Sequence, residues 1–350
     1  MPARKMDRGL TTLQTTLRHA ALFTVLNIAA WTAWAWRDVP VHIYETVTNQ
    51  RPLQSAKSWY YHLANLDLDK VAAVDADLFI IDHARPNGFG PLDRADVERL
   101  KNGPNGKRRY VVAYMSIGEA EMWRWYWRQE WKDNPKTRPS WLKAENCAWP
   151  GGWAVRYWED GWRDIIYRAE DAFVKRIARA GFDGVYLDRV DMYGVMRQER
   201  ADTEELMIDL VQSLAAAGRA INPRFLVIPQ NGEELLLERG YRRTIDALGK
   251  EDLLYGHSGT AVRNTEEDIA WSLARIRALS TDWKPTFVVE YLLDAQHIAK
   301  TKAELRTLGL VPTVQPRGLD GSDPTKQLTL EKNIGTAEYI KQNCDKSNSW

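Results

Sequence analysis

The chain has 350 residues, 44% of them hydrophobic and 27% charged, which excludes a disordered, collagen-like or multi-span membrane chain. At roughly 150 residues per domain this length fits two domains, or one α/β barrel of about 250 residues with extensions. The 48 Lys and Arg nearly cancel the 47 Asp and Glu, so there is no basic footprint for nucleic acid.

Residues 1–18 carry Arg4, Lys5, Arg8 and Arg18 against Asp7 alone, and an uncharged run of 17 residues follows from Ala20 to Trp36. Basic then apolar is the layout of a secretory leader, with Ala33-Trp34-Ala35 as an A-x-A cleavage site. Seventeen residues is also the lower limit for spanning about 30 Å of hydrocarbon. The expectation is a signal peptide or membrane anchor over 1–36, a linker over 37–54, and a secreted or periplasmic protein, either released or anchored through residues 20–36. The leader holds net +3, which leaves the remainder at −2.

From residue 55 onward short β-branched or aromatic runs alternate with amphipathic stretches, the pattern of repeated βα units around a parallel sheet. Eight strands are predicted at 58–63, 77–82, 110–116, 184–188, 225–229, 245–248, 286–291 and 311–315. Eight such strands match a (β/α)8 TIM barrel over 55–317, with an open doubly wound sheet as the rival. Gly88-Phe89-Gly90 lacks the third glycine of a dinucleotide loop, and no P-loop occurs. Ile166, Ala169, Phe173, Ile177 and Ala180 recur at spacings of three and four, which predicts one helix ended by Gly181. The stretch 318–350 is polar and punctuated by Gly and Pro, and reads as a C-terminal extension. Cys147 and Cys344 lie 197 positions apart without C-x-x-C spacing; they could pair in an oxidising compartment and receive no role.

Acids gather at the predicted strand ends, where a (β/α)8 barrel does its chemistry. Strand two ends in Asp82, strand three runs into Glu119 and Glu121, and strand four ends in Asp188 with Asp191 beyond. Strand five leads to Gln230-Asn231, strand six reaches Glu251, and strand seven holds Glu290-Tyr291. Neighbouring buried carboxylates raise one another's pKa, so such a ring can supply a protonated acid together with an ionised nucleophile, as glycosidic cleavage requires. Each has a structural alternative: Asp188 in a salt bridge, Glu251 in an ion pair with Lys250, and Asp183 as a turn or cap residue. The six histidines show no H-x-H or H-E-x-x-H and there is no G-x-S-x-G, so neither a metal, a cofactor nor a serine nucleophile is expected.

Nine of the sixteen Trp fall between Trp123 and Trp162. They form either stacking walls for sugar rings, joined by Glu119 and Arg124, or the mini-core of a long loop.

Three stretches resemble a known family: Ala113-Tyr114-Met115-Ser116-Ile117-Gly118-Glu119-Ala120-Glu121 with Arg124 and Trp127; Tyr157-Trp158 with Trp162; and Gly181 through Asp191. Pro229-Gln230-Asn231-Gly232, Lys250 through Tyr255, and Val289-Glu290-Tyr291 complete the set, in family order over about 58–315. The family is glycoside hydrolase family 114, the endo-α-1,4-polygalactosaminidase-like proteins, similar also to the hydrolase domain of the Pel polysaccharide biosynthesis protein. The resemblance implies a TIM barrel that cleaves α-1,4-linked galactosamine-containing exopolysaccharide, with Asp188 as nucleophile and Glu251 as acid/base. Substrate-binding roles fall to Asp82, Tyr114, Glu119, Arg124, Trp127, Tyr157, Trp158, Asp191, Gln230, Asn231, Tyr255, Glu290 and Tyr291. The partner is then a partly de-N-acetylated galactosaminan-like polymer. Two other readings stay open: a carbohydrate-binding barrel that holds the polymer without cutting it, and, from the barrel alone, an enzyme acting on amino acids.

Overall fold

The computed structural model describes residues 52–85, 90–104, 106–259, 261–291, 294–322 and Cys344. The expected leader, nearly all of the linker, and the C-terminal extension beyond 322 apart from Cys344 lie outside the described residues. Among those described, no helix is long and apolar enough to cross a membrane.

Eight parallel strands follow in chain order: β1 (Trp59–His62), β2 (Leu78–Asp82), β3 (Tyr110–Ser116), β7 (Gly184–Asp188), β8 (Leu226–Pro229), β9 (Leu248–Glu251), β10 (Thr286–Glu290) and β11 (Val311–Val314). Between β3 and β7 stand β4 (Glu119–Glu121), β5 (Leu142–Glu145) and β6 (Gly152–Val155), a separate antiparallel sheet. The parallel strands fall into a five-stranded sheet, β1-β2-β3-β7-β8, and a three-stranded one, β11-β10-β9. A single parallel bridge, Gln230 to Gly249, joins them on one side. On the other, Trp59 Nε1 donates to Val311 O at 3.0 Å. The continuous ladder of a closed barrel is therefore not formed; the result is an α/β fold of parallel sheets in barrel order.

Alternation along the strands explains this arrangement, because successive side chains point to opposite faces. Leu78, Ile80, Val112, Ile228, Phe287 and Val289 share one buried cluster drawn from both sheets, with Tyr61 and Tyr186. Phe79, Ile81, Val111, Ala113 and Met115 face the other way, into the layer packed under the helices. In the helix Thr203–Ile221, Met207, Leu210, Val211, Leu214 and Ala215 are buried at helical spacing, and a Cβ on Gly218 would lie 2.4 Å from the Phe225 ring. Asp93 and Asp96 form a capping box at Arg94–Lys101, and Thr265 caps Glu266–Ser280, satisfying N–H groups that a helix start leaves open.

Three expectations change. The sixth strand is Leu248–Glu251 rather than 245–248. Ile245 follows the helix Arg239–Thr244, and Asp246 is spent accepting from Val227 N at 2.8 Å. The single helix through 166–180 is divided: Asp164–Arg168 is a π-turn and Phe173–Arg179 the helix, yet Ile166, Phe173 and Ile177 are buried as the spacing predicts. Packing on the strands also continues past residue 317. Leu319 is buried, and its carbonyl accepts from Leu63 N and Ala64 N. Cys147 and Cys344 form a disulfide. Asp183 acts structurally, accepting from Val111 N at 2.9 Å and pairing with Lys101 at 2.6 Å.

Candidate active site

A cleft of about 1140 Å³ opens at the C-terminal ends of the parallel strands. Three neighbouring strands set three side chains in a row on its floor: Asp188 ends β7, Gln230 follows β8 and Glu251 ends β9. The residue after each, Arg189, Asn231 and Asp252, has a positive φ of 60°, 57° and 50°. A non-glycine residue takes this left-handed backbone at a cost of about 1–3 kcal/mol, and keeps it only where its surroundings fix it. They do so here. Asn231 N donates to Gly249 O at 2.8 Å and Asp252 N to Val289 O at 3.1 Å. The Asp252 carboxylate takes the Arg317 guanidinium at 2.9 Å, and Arg189 pairs with Glu119 at 2.7 Å.

Gln230 Nε2 donates to Asp188 Oδ1 at 3.0 Å and also to Glu251 Oε2, while its Oε1 accepts from the Tyr61 hydroxyl at 3.0 Å. Asp188 further accepts from Tyr114 at 2.6 Å and from Arg189 N at 2.7 Å. Glu251 Oε1 accepts from the Tyr291 hydroxyl. Burial, followed by the charges of Asp188 and Asp252, pushes the Glu251 carboxyl up to about 7. Burial raises Asp188 too, against Arg189 and the Tyr114 hydrogen bond. Asp188 has three donors and an adjacent guanidinium, so it is the one that ionises first, and Glu251 is the one that keeps its proton near neutrality.

One wall of the cleft is built on a buried arginine. Arg124 donates to Asp82 Oδ1 at 2.9 Å and forks onto Glu121 at 2.6 and 3.2 Å. Burial alone would raise both acids. Arg124 and His83 outweigh it at Asp82 and hold that carboxyl well below its ordinary range. At Glu121 burial wins over Arg124 and lifts the carboxyl to about 7. Removing Arg124 leaves Glu121 with no countercharge and Asp82 with His83 alone, in a site that water hardly reaches. Arg124→Met should therefore lower stability by about 3–5 kcal/mol, measured by urea unfolding at pH 8. A loss below about 1 kcal/mol, the value of an exposed pair, would show the cluster to be solvated.

The model of glycoside-hydrolase family GH114 matches residues 44–331. The chain belongs to family GH114. Among its relatives are an uncharacterized protein of Deinococcus radiodurans, 32% identical over 80% of this chain and 87% of that one, and the uncharacterized protein MJ1477 of Methanocaldococcus jannaschii, 34% identical over 71% and 69%. The glycoside hydrolase domain of PelA from Pseudomonas aeruginosa shares the fold, with a TM-score of 0.56 and 19% identity over 76% of this chain and 97% of that domain.

In this GH114 protein ten of the expected residues line the cleft: Asp188, Glu251, Asp82, Tyr114, Glu119, Arg124, Asp191, Gln230, Asn231 and Tyr291. Glu119 is raised by burial against the pull of Arg189 and accepts from Asn146 at 2.9 Å. Five stand elsewhere. Trp127 packs on Trp131 and Trp153, with ring centroids 5.3 and 5.5 Å away. Tyr157 is fully buried, donating to Thr203 O at 2.7 Å, and Trp158 packs on its ring. Glu290 is fully buried and turned to accept from Leu254 N at 2.7 Å and Tyr255 N at 3.3 Å, which fixes the loop after β9 and leaves Tyr255 in that loop. Burial lifts the Glu290 carboxyl to about 8.

The aromatic run therefore divides. Trp123, Trp125 and Trp149 are exposed on the cleft wall, and the remainder of the cluster is largely mini-core. Arg317 also reaches the site, 4.2 Å from the Tyr291 ring centroid; it lies two residues past the eighth predicted strand, but a strand-end reading confined to acids passes over it. Among the described residues no cluster of His, Cys, Asp and Glu could hold a metal ion.

Proposed function

We propose that this GH114 protein is a retaining glycosidase that cuts α-1,4-linked galactosamine-containing exopolysaccharide through a covalent glycosyl-enzyme. The observation that carries the reading is the amide nitrogen shared by Asp188 and Glu251. Two oxygens hydrogen-bonded to one nitrogen lie within roughly 6 Å of each other. That favours the separation of about 5–5.5 Å used by retaining enzymes over the ~6.5–9.5 Å of inverting ones. In the first step Glu251 gives its proton to the departing glycosidic oxygen while Asp188 bonds to the anomeric carbon and the C–O bond breaks. In the second step Glu251 takes a proton from water, the water oxygen bonds to the anomeric carbon, and the ester to Asp188 opens.

We read the two parallel sheets as one (β/α)8 barrel over 55–317 whose ladder is open at two seams. The partly exposed cleft carboxylate Asp191 suits a polymer carrying free amines, Asp82 and Glu119 being already paired with Arg124 and Arg189, and the exposed Trp side chains suit the apolar faces of its rings. The Cys147–Cys344 disulfide supports an oxidising location, in line with a leader over 1–36 that is either cleaved or retained as an anchor.

Incubation with partly de-N-acetylated galactosaminan, followed by mass analysis, should release oligomers spaced by hexosamine units. Polymer that is bound and left intact would favour the carbohydrate-binding barrel instead.

A further inference from the structure

We propose that Gln230 is a positioning residue: its side-chain amide joins Asp188 and Glu251 into one unit and fixes the transferable proton of Glu251 on Oε1. The consequence for turnover rests on the glycosidase reading above; the hydrogen-bond geometry does not. An amide nitrogen donates and cannot accept. Glu251 Oε2, facing Gln230 Nε2, therefore carries no proton toward it, and the acid proton sits on Oε1 beside the Tyr291 hydroxyl. That hydroxyl serves both states, accepting from Oε1 when Glu251 is protonated and donating to it when ionised.

The amide cannot turn over without loss. Its Oε1 would then face two carboxylates, and its Nε2 would replace the oxygen to which the Tyr61 hydroxyl donates at 3.0 Å. Tyr61 is itself enclosed, 1% exposed and 5.2 Å from the Tyr186 ring. Gln230 also shares the backbone device of the two carboxylates, a strand-end side chain followed by a left-handed non-glycine residue. Its strand is the middle one of the three, tied to β7 through Gln230 N to Leu187 O at 2.8 Å and to β9 by the bridge to Gly249.

Both bonds from Nε2 favour the ionised form of their acceptor, so their removal raises both carboxyls. The groups that bear on Glu251 are Asp188 from β7, Asp252 beside it, Tyr291 after β10 and Arg317 after β11. Tyr61 from β1 and Tyr186 from β7 complete its surroundings. Around Asp188 are Arg189, Tyr114 and Asp191, with Glu119 and Glu121. Gln230→Met keeps the volume, loses both donors and leaves these charged groups in place, while the Tyr61 hydroxyl loses the amide oxygen it donates to.

The test is a carboxyl 13C titration of the full chain carrying labelled Asp and Glu, wild type against Gln230→Met. Both midpoints should rise, by about one pH unit or more, and kcat on the polymer should fall on the order of 10- to 100-fold with KM nearly unchanged. Tyr61→Phe, which removes only the hydroxyl behind the amide, should shift both midpoints the same way by less and serves if Gln230→Met does not fold. Tyr291→Phe should move the Glu251 midpoint and leave that of Asp188 in place. Midpoints that stay at their wild-type positions in both Gln230→Met and Tyr61→Phe overturn the proposal. A wild type that titrates as expected but hydrolyses no glycan sinks the glycosidase reading and leaves this one standing.

Discussion

Asp188→Asn should lower kcat by about 10⁴-fold or more while polymer binding stays within a few-fold of wild type. The substitution removes the oxygen proposed to bond to the anomeric carbon and little else. Asn is isosteric, and its oxygen can still accept from Tyr114 or from Arg189 N, the partners of Asp188 at 2.6 and 2.7 Å. The walls that would grip the chain, Trp123, Trp125 and the Arg124 cluster, are untouched. Reducing-end release and co-sedimentation with the polymer separate the two quantities. Turnover within tenfold of wild type would remove Asp188 from the chemistry and with it the covalent intermediate.

Glu251→Gln should lower kcat about 10²- to 10⁴-fold, the range of one general acid/base, and should abolish the alkaline limb expected of the wild-type profile near pH 7, to which burial and Asp188 raise the Glu251 carboxyl. The same change should stabilise the fold above neutrality. A carboxyl raised from 4.5 to about 7 on folding binds its proton more tightly in the folded state. Its contribution therefore becomes unfavourable as pH climbs from 4.5 through 7, and the full penalty, on the order of 3 kcal/mol, is felt only above that window. Gln removes the ionisation and can still accept from Gln230 and donate to Tyr291. Thermal unfolding at pH 8 should show a gain of several degrees that disappears at pH 4. A gain equal at both values would place the effect in packing, away from the proton.

The strand ends were the legible part of this molecule. Short β-branched or aromatic runs marked seven of the eight parallel strands to within a residue or two and drew attention to the acids beyond them, while the choice of Asp188 and Glu251 among those acids came from the family resemblance. The frame slip at the sixth strand has a local cause. Leu248-Gly249-Lys250-Glu251 reads as loop because it holds a glycine and two charges, yet Gly249 is required there: a Cβ would lie 2.1 Å from the Tyr186 hydroxyl. Glu290 shows the converse, since a buried acid at a strand end can serve the backbone of the next loop as readily as a substrate. Gln230 was legible as a cleft residue, but its place between two acids depends on which strands are neighbours. The division of the tryptophans between wall and mini-core was hidden as well, because β4, β5 and β6 pair across distances in the chain that periodicity does not encode.

Cys147 lies between Asn146 and Ala148, two residues of the cleft wall, and its bond to Cys344 ties that wall to a residue 197 positions further along the chain. Material made in a reducing cytosol and material exported through an oxidising compartment would thus share one sequence but differ in how firmly the mouth of the cleft is fastened. A preparation purified in thiol reagent and assayed on a long polymer would report on the unfastened form alone.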